Sequence, residues 1–108
     1  MDISSAVDAL EALAHETRLG VFRMLVEAGP DGLSAGDIAE RMGALQNTMS
    51  SHLGKLQRAK IITSQRDGRH VIYRADFEAL GGLIVYLMKD CCGASAQVCD
   101  PIAASIKR

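Results

Sequence analysis

Cysteine is scarce in this chain, three in 108 residues. That number is too small, and odd, for the disulfide framework of a small secreted domain. The thiols are therefore expected to be reduced and the protein cytoplasmic. Long apolar runs are missing as well. None approaches the roughly 20 residues of a membrane span, so no membrane partner is expected. Met1-Asp2-Ile3-Ser4-Ser5 lacks both the basic and the apolar region of a signal peptide. A phosphate-cradling loop and a Cys-x-x-Cys pair are absent, and only Asp90 stands near the thiols as an acid or base. This argues against an enzyme, and no organic cofactor is expected. Aromatic residues make up only 4%; 48% of the chain is hydrophobic and 23% charged, with a net charge of −1. That is the balance of one folded domain rather than of a disordered chain.

The small net charge hides an asymmetry. Between residues 41 and 74 stand Arg41, Lys55, Arg58, Lys60, Arg66, Arg69 and Arg74, against the single acid Asp67. This middle carries +6, so the flanks carry −7. A basic middle is either a polyanion-binding surface or a solvated face, and the elements it sits on should decide.

Apolar spacing of three and four predicts a helix over residues 3–13, with Ile3, Ala6, Val7, Leu10 and Leu13 on one side. A second is expected from Thr17 to Ala28, with Leu19, Val21, Phe22, Leu25 and Val26 inward, ended by Gly29-Pro30-Asp31-Gly32. Ser34 and Asp37 form a capping pair for a short helix, Ala35 to Met42, carrying Ile38, Ala39 and Met42 inward and stopped by Gly43. Another begins near Gln46 or Asn47, with Leu45, Met49, Leu53 and Leu56 as its inner stripe. A short helix, a tight turn and a second helix form a helix-turn-helix. After Ala59 the pattern becomes β-branched over residues 61–66 and 70–74. Asp67-Gly68 between them is a hairpin signal in which both turn positions favour positive φ. A basic hairpin following a helix-turn-helix is a wing. Asp76 caps a last helix to about Lys89, with Phe77, Leu80, Leu83, Ile84 and Leu87 on one side. The expected fold is mostly α with a small β-hairpin, a winged helix-turn-helix. Residues 1–90 form the domain and 91–108 a cysteine-containing tail with little regular structure.

Three stretches, Ala12-Leu13-Ala14-His15-Glu16-Thr17-Arg18-Leu19, Met49-Ser50-Ser51-His52-Leu53-Gly54-Lys55-Leu56 and Asp67-Gly68-Arg69-His70-Val71-Ile72-Tyr73-Arg74, stand in the order and spacing of the ArsR/SmtB family of winged-helix repressors, which this sequence resembles. The resemblance implies a homodimer formed through the first and last helices. It also implies a palindromic double-stranded operator, released when a metal or metalloid binds. Two departures stand out: the family usually has glycine where this chain has Lys60, and Gly54 sits in mid-helix, where it costs roughly 1 kcal/mol relative to alanine unless a neighbour or DNA comes close.

On the recognition helix, Gln46, Asn47, Thr48, Ser50, Ser51, His52 and Lys55 are left to face outward. Amides and hydroxyls in its first half suit base edges and phosphates, while Lys55 and Arg58 suit phosphates. Arg66, Arg69 and His70 on the wing are placed for flanking backbone or minor groove. For His52 the alternative is burial against the second helix, and for Ser50 a local backbone bond. Leu10, Leu13, Leu80, Leu83, Ile84 and Leu87 offer more apolar surface than one small core hides. Gly81 and Gly82 permit close helix approach, so these six leucines and isoleucines are the candidate dimer interface.

Cys91, Cys92 and Cys99 fall within nine residues after the last helix. Their small, polar neighbours cannot bury them well. Three thiolates without a nearby histidine suit a soft three-coordinate centre better than tetrahedral zinc, and trivalent arsenic or antimony is completed by three sulfurs in a pyramid. The resemblance agrees: a Cys-Cys pair after the last helix with a further Cys in the tail is similar to arsenic-responsive members. The helix before the recognition helix lacks the Cys-x-Cys of other members, and the last helix lacks the histidines of the zinc site. The expected inducer is arsenite, with antimonite or methylated As(III) as variants. The rivals are a redox or other soft-metal sensor, in which Cys99 would pair with Cys91 or Cys92, and a small thiol enzyme.

Overall fold

The computed structural model describes residues 1–89. Helix α1 (Ile3–Leu13) starts where the Asp2 carboxylate accepts the Ser5 N–H at 2.8 Å. Helix α2 (Glu16–Ala28) starts where His15 Nδ1 accepts the Thr17 N–H at 3.2 Å. Gly29 and Gly32, both at φ +68°, carry the chain through a single 3-10 turn into a two-residue strand, β1 (Leu33–Ser34). Ser34 then accepts the Asp37 N–H at 3.1 Å and opens α3 (Ala35–Met42). Gly43, in the left-handed region at φ +64°, stops α3, and α4 (Gln46–Arg58) follows. Strands β2 (Ile62–Asp67) and β3 (His70–Ala75) form the hairpin, and Asp76 caps α5 (Phe77–Met88).

Three details depart from the sequence reading. Strand β1 was not expected; two residues carry no periodicity. It pairs antiparallel with β3, Leu33 opposite Tyr73 and Ser34 opposite Ile72, so the sheet has three strands in the order β1-β3-β2. This close approach demands Gly32, since a Cβ there would run into the Tyr73 carbonyl and lie 2.7 Å from Arg74 Cγ. The hairpin turn is also shifted by one residue. Asp67 pairs with His70, leaving Gly68-Arg69 as the central residues, and of these only Gly68 has positive φ, +63°. That is the glycine-first pattern of a II′ turn, and it puts Arg69 at the tip.

The third departure is in the apolar faces. On α1 the core face is the alanine row Ala6, Ala9 and Ala12, while Ile3, Val7 and Leu10 stay exposed. Small side chains let α1 lie close on α2 and α4, and the larger residues fall on its flank. Leu19 is exposed on α2. Leu45 is exposed because it precedes α4 in extended backbone (φ −68°, ψ 147°) and so leaves the helical stripe. The core consists of Val21, Phe22, Leu25, Ile38, Met49, Leu53, Leu56, Ile61, Ile62 and Leu83, with small residues between them. Each large side chain fully buried here contributes about 1.5–3 kcal/mol. Among the described residues, no buried side-chain polar atom lacks a partner, and no helix is long and apolar enough to cross a membrane.

Leu83 is the one buried residue of α5 and belongs to the protomer core rather than to a free surface. Phe77, Ile84, Val85 and Leu87 are exposed, with Leu80 half-buried; on α1, Leu10 is exposed and Leu13 half-buried. Among the described residues, α1 and α5 thus both carry exposed apolar side chains.

Candidate nucleic-acid interface

Helix α4 is anchored by Met49, Leu53 and Leu56, each at 1% exposure or less. This stripe fixes the opposite side outward: Gln46, Asn47, Thr48, Ser50, Ser51, Lys55 and Arg58 are all exposed. Lys55 and Arg58 lie in the last turn, where the helix dipole favours cations. Asn47 Oδ1 accepts the Thr48 N–H at 2.8 Å, so this amide is partly engaged by its own helix. The position of Gly54 is open: a Cβ there would meet only the flexible end of Arg58, at 3.3 Å. No neighbouring helix requires glycine at this point.

The wing projects from the end of α4. On β2 only Ile62 is buried, and every residue from Thr63 to Asp67 is exposed. Gln57 Nε2 donates to Ser64 Oγ at 2.9 Å and ties the wing to α4. Arg74, counted above with the basic middle, is used structurally. Its Nε donates to the Pro30 carbonyl at 2.7 Å and its Nη1 to Gln65 Oε1 at 3.2 Å, bracing the hairpin against the loop after α2. Arg66, Arg69 and His70 are exposed and free to reach outward.

His52 differs from its neighbours. It is half-buried, with its ring centroid 4.8 Å from that of His15. Arg18 Nη1 lies 3.5 Å from His52 Nδ1, and Arg18 Nε donates to the Ala12 carbonyl at 2.6 Å. A guanidinium only donates, so in this contact Nδ1 is placed as the acceptor. Burial first, then the positive neighbours His15, Arg18 and Lys55, holds its pKa below the usual 6.5. His52 therefore packs against the start of α2, the alternative left open above, and orients α4 from behind. Arg18 links the last turn of α1, the start of α2 and the recognition helix. Its role was not read from the sequence, although it stands in the first of the three stretches that carry the family resemblance. Cys91, Cys92 and Cys99 lie outside the described residues. Among the described residues no cluster of three His, Cys, Asp or Glu side chains could hold a metal ion.

A recognition helix with a polar outer face, followed by a basic wing, defines a winged helix-turn-helix DNA-binding protein. Comparison with known proteins agrees. A family model described as a helix-turn-helix domain matches residues 13–65. The HTH-type transcriptional regulator YgaV of Escherichia coli K12 is 32% identical over 87 residues, which cover 81% of this chain and 86% of that protein. An ArsR-like transcriptional regulator from Rhodococcus sp. RHA1 superposes with a TM-score of 0.70 at 28% identity, covering 96% of this chain and 91% of the other. Reduced HlyU from Vibrio cholerae, a protein named as a transcriptional activator, superposes with a TM-score of 0.64 at 26% identity, covering 80% and 90%. The chain belongs to the ArsR/SmtB family of transcriptional regulators.

Proposed function

We propose that this regulator is a homodimeric repressor that leaves a palindromic operator when trivalent arsenic binds Cys91, Cys92 and Cys99. The observation that carries this reading is the confinement of every cysteine in the chain to nine residues that begin three positions after Met88, the end of α5. Three thiolates match the three bonds of As(III) or Sb(III) and leave tetrahedral zinc one ligand short. The exposed apolar residues of α1 and α5 support the dimer. Its two recognition helices would enter half-sites about one DNA turn apart, and the exposed α4 and wing residues support the DNA contact.

The coupling follows from adjacency. A site that begins just beyond α5 pulls on the last turn of a helix whose free face joins the two protomers. Tilting that helix changes the spacing of the recognition helices. Shifting the equilibrium from 1:99 to 99:1 needs about 5.5 kcal/mol of differential binding, a demand that three sulfur bonds in each protomer are able to meet. Cysteine binds as thiolate, so arsenic uptake releases protons and weakens as pH falls.

A thiol redox sensor is the second reading, favoured by the likeness to HlyU, whose matched structure is of a reduced protein. Titrating the protein–operator complex with arsenite, antimonite, zinc and peroxide separates the two. The arsenic reading expects release by arsenite or antimonite at about one equivalent per protomer under reducing conditions. Release by peroxide alone would establish the redox reading in its place.

A further inference from the structure

Four of the five helices begin with a polar side chain, Asp2, His15, Ser34 or Asp76, that accepts a backbone N–H of the first turn. Helix α4 alone begins on an apolar residue, Leu45, and has no side-chain cap. Leucine is a poor N-cap, and among the described residues the side-chain bond in this first turn is the one Asn47 Oδ1 accepts from the Thr48 N–H. Leu45 is 72% exposed, the highest value for any large apolar residue among those described, although Met49 one turn later is 1% exposed. Lys55 and Arg58, at the far end of α4, are the residues that share a cleft with Asp8 and Glu11 of α1. Leu45 stands at the end of α4 away from that cleft, ten residues before Lys55 and about 15 Å along the helix axis. Its neighbours are the exposed Gln46, Asn47 and Thr48, at the end of a recognition helix that meets base edges.

Among the unmodified bases, only thymine shows an apolar group in the major groove, its C5-methyl. We infer that Leu45 is a specificity-determining residue that packs on the C5-methyl of one thymine in each operator half-site. This rests on the reading of α4 as the DNA-recognition helix. The protomer forgoes a polar cap at this one helix, and the side chain placed there instead selects a base pair.

The test starts from an operator selected out of random duplexes by the full-length chain. Each thymine is then replaced in turn by deoxyuridine, which differs only in lacking the methyl group. The wild-type protein should lose about fourfold in affinity at one thymine per half-site, the effect of leaving one methyl uncovered. Leu45→Ser should bind the thymine and uracil operators equally. It supplies a capping hydroxyl, so its thermal midpoint should equal or exceed that of the wild type, which separates lost contact from lost fold. Indifference of the wild type to every replacement, or an unchanged loss in Leu45→Ser, would overturn the thymine contact alone. If the chain enriches no sequence at all, the DNA-regulator reading falls together with it.

Discussion

Lys60 is the one non-glycine among the described residues with positive φ, +64°. It stands just past α4, where the Lys60 N–H bonds the Gln57 carbonyl at 2.9 Å and the Ile61 N–H bonds the Leu56 carbonyl at 3.4 Å. These two bonds, with buried Ile61 against buried Leu56, make a Schellman stop, in which glycine is favoured. Lys60→Gly should therefore stabilise the fold by about 1 kcal/mol, seen as a higher midpoint in urea with an unchanged slope. The sequence marked this position as a departure; that it sits in the left-handed region came only with the backbone. At His52 the sequence left two roles open, because helical spacing places it at the border of the inner stripe, and the structure shows it against His15 and Arg18. Its depressed pKa has a definite sign. Well above 6.5 the ring is neutral both folded and unfolded and contributes no pH dependence. Below 6.5 the unfolded chain takes up the proton more readily, so stability falls as pH drops from 6.5 toward the folded value. His52→Gln should flatten that part of the urea stability profile between pH 7.5 and 5.5; an unchanged profile would remove His52 as its source.

At the scale of elements, helices were legible because apolar spacing and caps agree, and α1 and α3 fall on the expected residues. What periodicity could not supply was which apolar residues a neighbour covers. Ile3, Val7 and Leu10 make as good a stripe as Ala6, Ala9 and Ala12, and only the close approach of α1 to α2 and α4 selects the alanines. The hairpin was legible as a wing but its register was not, since Asp67-Gly68 and Gly68-Arg69 are both acceptable turns and the pairing of Asp67 with His70 decides. The shift matters for function because it places Arg69 at the tip. Arg69→Ala should weaken binding to all DNA sequences alike and flatten the dependence of log K on log salt by about one phosphate per protomer at most. Arg74→Ala should act differently, lowering stability through loss of its bonds to Pro30 and Gln65. If Arg69→Ala leaves affinity and salt slope unchanged, the wing does not touch DNA.

At the scale of the molecule, α1 and α5 carry exposed apolar residues, and the proposed homodimer would cover them. Val85→Glu and Leu87→Glu, at 69% and 57% exposure, should leave the protomer folded but shift sedimentation from dimer to monomer at micromolar concentration, with loss of tight operator binding. Leu83→Glu should unfold the chain instead, because Leu83 is a core residue. The proposed switch joins that dimer to the tail, and release of fluorescent operator by arsenite is to be measured in the wild type and Cys99→Ser side by side. The wild type should release the operator near one arsenite per protomer. Cys99→Ser should retain the operator at the same arsenite concentration, with its affinity in the absence of arsenite unchanged. Equal release from both proteins would contradict the three-thiol site.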